Sequence, residues 1–162
     1  RSTLFPYTTL FRSPYRVHGQ VVVGWGRALD LERVILVDDE VAASPWEQDL
    51  YRMAMPAGMS VLFSSVSDAV PRLAQWNAEP VRTAVLVGSV DAAVALSNSD
   101  PGALRQLNLG GIHHRPGRTE RLPYLYLTDA EYTQLAALEA KGAQITGQDV
   151  PTATPVPLYE LR

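Results

Sequence analysis

Three groups of residues have the types and spacing to do chemistry. Arg16-Val17-His18-Gly19-Gln20 sets a histidine two residues after an arginine, at what reads as the first turn of a helix. A helix start offers unpaired backbone N–H groups and the positive end of the helix dipole, so it attracts anions. A neutral imidazole there can attack a phosphoryl group and hold the phosphate on its ring. The same residues would also serve a capping or surface histidine, so both readings of His18 stand at this point. The second group is Asp38-Asp39, which is either a paired acid or an ordinary strand end that caps the next helix. The third is the polar and glycine-rich punctuation at Gly88-Ser89, Gly110-Gly111 and His113-His114.

Other chemistries lack their residues. No glycine-rich phosphate loop with lysine and serine or threonine is present, and no Gly-x-Ser-x-Gly elbow. Gly24-Trp25-Gly26 sits inside a helical pattern, with Leu29 where a dinucleotide fingerprint needs glycine or alanine, and it reads as structural. His113 and His114 are adjacent, so a regular element cannot turn both towards one ion. With no cysteine and only Glu120 nearby, neither a metal nor another cofactor is expected.

Composition sets the outer bounds. The 162 residues suggest one domain with a proper core. Net charge is −3 and the basic residues are scattered, which speaks against a nucleic-acid footprint or a polybasic membrane patch. The absence of cysteine excludes disulfides and thiolate chemistry and fits a reducing cytosol. No apolar run approaches the ~20 residues that span a bilayer.

The elements that must position these residues alternate between strand and helix. A helix is expected from about His18 to Leu29, with Val21, Val22, Trp25, Ala28 and Leu29 on one face. Gly24 and Gly26 weaken it and imply close packing against a neighbour. Arg33–Val37, Met59–Phe63, Thr83–Val87, Arg105–Leu109 and Ala143–Gln148 read as strands, and Leu122–Leu127 as extended chain. Gly110-Gly111 is expected to end its strand, and His113 to Arg121 to form a polar loop. Ser44-Pro45 with Glu47 starts a helix that runs to about Met55. Ser65 or Ser67 caps the next, with Ala69, Val70, Leu73 and Trp76 inward. Asp91 opens another, and Thr128-Asp129-Ala130-Glu131 is a capping box. A proline-rich tail closes the chain. This pattern predicts an α/β fold: an open, mainly parallel twisted sheet of about six or seven strands with helices on both faces. Ligands in such sheets sit beyond the carboxyl ends of the strands. Asp38, Asp39, Ser89, Gly110, Gly111 and His113 all fall there as candidate pocket residues, and His18 joins them if a strand precedes it.

Residues 1–13, Arg1-Ser-Thr-Leu-Phe-Pro-Tyr-Thr-Thr-Leu-Phe-Arg-Ser13, resemble translated sequencing-adapter read-through. They are set apart as a non-native segment, leaving 14–162 as the single domain. Within them, Tyr7–Phe11 has strand propensity.

The later residues carry a resemblance. His18-Gly19-Gln20-Val21-Val22 with Gly24-Trp25, and Val34 to Asp38-Asp39-Glu40-Val41-Ala42, resemble the IIB component of the mannose/fructose/sorbose class of the bacterial sugar phosphotransferase system. Ala54 to Met59, Leu107-Asn108-Leu109-Gly110-Gly111 and Gly142 to Pro151 are similar to further segments of that family. The resemblance implies that His18 accepts a phosphoryl group from a phosphohistidine on a IIA protein or domain and passes it to a sugar held by the membrane components IIC and IID. It implies Arg16, Gly19 and Gln20 as phosphate-binding residues, no metal, and a cytoplasmic domain associated peripherally with its transporter. A regulatory or degenerate relative that only binds partners, and an unrelated α/β module for an anionic metabolite, are the alternatives. The chain departs from the family pattern before the histidine. The loop acid is absent, and Arg16 precedes His18 by two residues where the family arginine precedes by three. An overwritten native strand would explain this, and an impaired chain or a disturbed first strand is the corresponding expectation.

Overall fold

A computed structural model describes residues 7–12, 18–102 and 104–162, and the side chains of residues 23–102 and 104–162. In chain order the elements are β1 (Tyr7–Arg12), α1 (His18–Ala28), β2 (Arg33–Val37), α2 (Asp39–Ala42), α3 (Pro45–Ala54), β3 (Ser60–Ser64), α4 (Val66–Ala78), β4 (Thr83–Val87), α5 (Val90–Ser99), β5 (Gln106–Ile112), β6 (Thr119–Leu122), β7 (Leu125–Leu127), α6 (Asp129–Ala140), β8 (Gln144–Gly147) and β9 (Val156–Pro157), followed by a 3-10 turn at Leu158–Leu161.

The strand order is β3-β2-β4-β1-β5, all parallel. The outer edge of β5 is shared: β8 pairs with Gln106–Leu109, and β7 meets Ile112. β6 and β9 are short antiparallel additions to β7 and β8. The expected α/β class holds. The described strands number nine, because Pro123-Tyr124 turns the expected 122–127 run into a hairpin and because the tail pairs with β8. The expected polar loop ends earlier for the same reason, with Thr119 already in β6. The proline-rich tail is built into the core, since Leu158 and Leu161 are each 1% exposed.

Apolar residues in β2 and β4 explain why these strands lie deep in the sheet. Every residue of both is buried, and each apolar side chain so covered contributes roughly 1.5–3 kcal/mol. Alternate side chains point to opposite faces. Ile35, Val37, Val85 and Val87 pack with Leu73, Trp76, Leu96 and Leu135 from α4, α5 and α6. Val34, Leu36 and Leu86 pack with Tyr51, Met55 and Phe63 on the other face, where α1 lies beside α3. The one polar side chain of β2, Arg33, is held at the opposite edge by Thr83 and by an ion pair with Glu79.

Local rules set most boundaries. Ser44 Oγ accepts from the Glu47 N–H at the start of α3, with Pro45 in the first turn. Of the two serines before α4, Ser65 is the cap. Ser89, rather than Asp91, caps α5. Gly142 at φ +104° ends α6 in the conformation that a side chain resists. β1 occupies the centre of the sheet, in register with β4 and β5 from Tyr7 to Leu10. The segment for which a disturbed first strand was expected therefore pairs on both edges.

Candidate functional site

The carboxyl ends of the parallel strands share one rim of the sheet. In spatial order the rim carries Ser65 after β3, Asp38 after β2, Gly88-Ser89 after β4, the start of α1 after β1, and His113 after β5. α1 leaves β1 on one face, whereas α5 leaves the neighbouring β4 on the other. The rim at β1 is therefore a switch point, where neighbouring connections diverge; in open α/β sheets this is where ligands bind.

His18 is the first residue of α1, with Gly19 and Gln20 completing its first turn. The expected helix start is present, and a strand precedes it. The backbone N–H groups of such a turn have no acceptor within the helix. Arg16 lies outside the described residues, and so do the side chains of His18 and Gln20. Further along α1, Trp25 is 7% exposed and its Nε1–H donates to the Asp149 carbonyl at 3.3 Å. Ala28, expected on the inward face, is exposed, because the helix ends there and the chain turns towards β2. The expected close packing at the glycines is present: a side chain at Gly26 would run into Met59, and one at Gly24 would touch Pro151.

Asp38 and Gly88 are brought together across the β2–β4 boundary. A Cβ at Gly88 would lie 2.7 Å from Asp38 Oδ2. Asp38 Oδ1 accepts from the N–H groups of Glu40 at 2.9 Å and Val41 at 3.1 Å, so it caps α2. Its charge also reaches Tyr51. Burial, then Asp38, then Glu47 push the Tyr51 phenol up to about 12. Asp39 turns away from Asp38, and its Oδ1 accepts from Val66 N–H at 2.8 Å at the start of α4. The two acids thus form no pair: each caps a different helix. Ser89 is likewise a cap, accepting from Ala92 N–H at 3.1 Å.

The expectation that Gly110-Gly111 ends its strand is corrected. β5 runs on to Ile112, both glycines are buried, and the register against β1 slips so that Leu10 faces Leu109 while Phe11 faces Gly111. Gly110 is the extra residue of a bulge, left without a partner on β1. His113 is exposed just beyond, and His114 stands edge-on to Tyr126 at 5.6 Å. Arg118, whose loop the sequence left open as phosphate-facing or solvated, is committed elsewhere. Its Nε and Nη2 hold both carboxylate oxygens of Glu131 at 3.1 and 2.6 Å, and its Nη1 donates to the His113 carbonyl at 3.1 Å. Burial opposes ionisation of Glu131, but Arg118 and the Thr128 backbone outweigh it and hold the carboxyl below its usual range.

Some contributors to the rim were not among the expected residues. Asn108, 1% exposed, donates to the Gln148 carbonyl at 2.9 Å. Gln148 in turn donates to the carbonyls of Pro151 and Ala153 at 3.1 and 2.7 Å. This folds the 148–153 segment back on itself beside Trp25. An asparagine within the apolar run Leu107-Asn-Leu109 was the available signal, since buried amides are retained with partners. Tyr51 had no local signal, because its link to Asp38 crosses from α3 to the end of β2.

A parallel sheet whose central strand opens onto a helix start at a switch point is the class of α/β domain that receives an anionic group at its carboxyl rim. Residues 10–161 match the family described as PTS system sorbose subfamily IIB component, a match that takes in the end of the 1–13 segment. The chain belongs to that family. It is 33% identical over 96 residues to a probable phosphotransferase enzyme IIB component of Streptococcus pyogenes serotype M6, covering 59% of this chain and 58% of that protein. It is 23% identical over 145 residues to the N-acetylgalactosamine-specific IIB component 2 of Escherichia coli K12, covering 90% of this chain and 91% of that one. The crystal structure of the IIB domain of the sorbose permease from Klebsiella pneumoniae superposes with a TM-score of 0.80 at 24% identity, over 96% of this chain and 95% of that one. Among the described residues no helix is long and apolar enough to cross a membrane.

Proposed function

We propose that the chain is a phosphocarrier in which His18 takes a phosphoryl group from the phosphohistidine of a IIA protein and passes it to a sugar presented by membrane components IIC and IID. The observation that carries this reading is that His18 opens α1 at the carboxyl rim, where the central strand's connection diverges from its neighbour's. Membership of the IIB family favours transfer over a purely regulatory role.

In the first step a lone pair on one ring nitrogen of neutral His18 attacks phosphorus, and the bond to the donor nitrogen breaks. Charge on the equatorial oxygens falls towards the N–H groups of the first turn, at Gly19 and Gln20, and the positive end of α1. Arg16 is the candidate side-chain cation. The imidazole's second nitrogen must keep its proton or a hydrogen bond, so that the attacking nitrogen stays free. Association with the membrane follows from binding IIC and IID.

The test is incubation with phosphorylated IIA followed by intact-mass and acid-stability measurements. One acid-labile phosphate is expected on the wild type and none on His18→Ala. No phosphate on the wild type, or the same amount on His18→Ala, rules the assignment out.

A further inference from the structure

Asn108 is a buried amide in an otherwise apolar run of β5. Leu107 and Leu109 pack on the face covered by α4, α5 and α6, so Asn108 points to the other face. The register agrees: Leu36, Leu86, Thr9 and Asn108 stand in one row across β2, β4, β1 and β5, and Leu36 and Leu86 belong to the face on which α1 lies. Asn108 is 1% exposed. Its Nδ2 donates to the Gln148 carbonyl at 2.9 Å, while its Oδ1 is buried and has no hydrogen-bond partner among the described residues. A buried acceptor left unpaired costs at least as much as one amide hydrogen bond returns. An apolar side chain would serve the stability of β5 equally well, so the amide has another task.

That task lies in what Gln148 carries. Its backbone N–H donates to the Leu109 carbonyl at 3.2 Å, and its Nε2 donates to the carbonyls of Pro151 and Ala153 at 3.1 and 2.7 Å. Residues 148–153 are thereby drawn into a compact turn held to the end of β5. The second half of α1 is seated on this turn. Trp25 Nε1–H donates to the Asp149 carbonyl at 3.3 Å, and a Cβ at Gly24 would lie 3.8 Å from Pro151. His18 opens the same helix, seven residues before Trp25 and about 10 Å away along its axis. Over that length a tilt of about 6° at Trp25 moves the helix start by about 1 Å. Phosphoryl transfer depends mostly on positioning, and a 1 Å displacement can cost about a hundredfold in rate.

From the half-paired amide, the turn it holds and the seat of α1 on that turn, we propose that Asn108 is a positioning residue for phosphoryl transfer. It holds residues 148–153 where they set the pose of α1, and with it the place of His18 on the rim. The proposal rests on His18 as the phosphoryl acceptor and adds the residues that aim it.

The experiment uses two variants. Asn108→Val suits a strand and removes the donor to the Gln148 carbonyl; Trp25→Phe keeps a ring against the turn and removes the indole N–H. Each is offered a phosphorylated IIA protein and phosphoramidate, a donor too small to dock. In both variants kcat from IIA is expected to fall about tenfold or more, with KM unchanged, and the rate from phosphoramidate to fall by a similar factor. The His18 imidazole resonances, assigned against His18→Ala in nitrogen-15 spectra, are expected to shift. The melting temperature of Asn108→Val is expected to match the wild type, because one unpaired acceptor replaces another. Wild-type kcat in Asn108→Val overturns the proposal; where that variant does not fold, wild-type kcat in Trp25→Phe does so. A loss confined to KM, or a loss in both variants that accompanies a lower melting temperature, overturns it as well. A wild type labelled by neither donor removes the phosphocarrier reading itself, whereas a labelled wild type with unaffected variants removes only the positioning role.

Discussion

Glu131→Gln removes one charge from the junction that fastens the 113–118 loop to α6. Glu131 performs three tasks there. It receives Arg118 through both carboxylate oxygens, accepts from Thr128 N–H at 2.9 Å, and presents its own N–H to Thr128 Oγ1 at 3.0 Å. The glutamine keeps the capping geometry, because its amide oxygen can still receive the Thr128 N–H. It cannot match the two-point grip on Arg118. The Arg118 and Glu131 side chains are 10% and 18% exposed, between the surface case, worth about 0–1 kcal/mol, and the buried case, in which removing one partner costs about 3–5 kcal/mol. A loss of about 2 kcal/mol is expected, or about 4–8 °C in melting temperature for a domain of this length. The sign with pH follows from the lowered carboxyl. A group whose folded pKa is depressed stabilises above its unfolded value, and that stability fades as pH falls through the folded pKa. The gap between wild type and Glu131→Gln is therefore full at neutral pH and closes as pH drops below the ordinary glutamate value of 4.5. Circular-dichroism melts across that range measure it. Equal melting temperatures at neutral pH, or a gap that persists in acid, would refute the reasoning.

Gly88→Ala sets a methyl group against Asp38 Oδ2, and relief requires Asp38 to leave the Glu40 and Val41 N–H groups. Denaturant unfolding should show a loss of about 1–3 kcal/mol. The Gly88→Ala, Asp38→Ala double variant should lose less than the sum of the two, and strict additivity would separate the residues. Asp38→Asn keeps a cap but removes a charge beside Tyr51. Tyrosinate absorbance, read as a difference against Tyr51→Phe, should show the Tyr51 midpoint falling from about 12 while staying above 10, because burial is the largest cause and persists. An unchanged midpoint would remove Asp38 from the environment of Tyr51.

Much of the fold was legible because its signals are local. β2 and β4 occupy the expected residues 33–37 and 83–87, where β-branched runs have no polar face to turn outward. Ser44 and the Thr128–Glu131 box cap their helices as read, and Ser65 is the one of the two serines offered that caps α4, since a cap is settled within four residues. The readings that changed depend on partners distant in sequence. Gly110-Gly111 looks like a strand end until β1 lies alongside and turns Gly110 into a bulge. The proline-rich tail looks like an exit until β8 offers an edge to pair with and the core receives Leu158 and Leu161.

The site divides along the same line. His18 at the head of a helix follows from the order of residue types, because hydrophobic period and turn chemistry act over a few residues; the strand before it, which sets it on the rim, is decided by the pairing of β1 with β4 and β5. Only the tertiary structure decides which polar residues on that rim are already occupied. Asp38, Asp39, Ser89 and Arg118 were all candidates to face the site, yet each is held by a backbone N–H, a carbonyl or a carboxylate brought from elsewhere. A polar side chain hydrogen-bonds to whichever group packing sets beside it, and packing follows from the whole sheet.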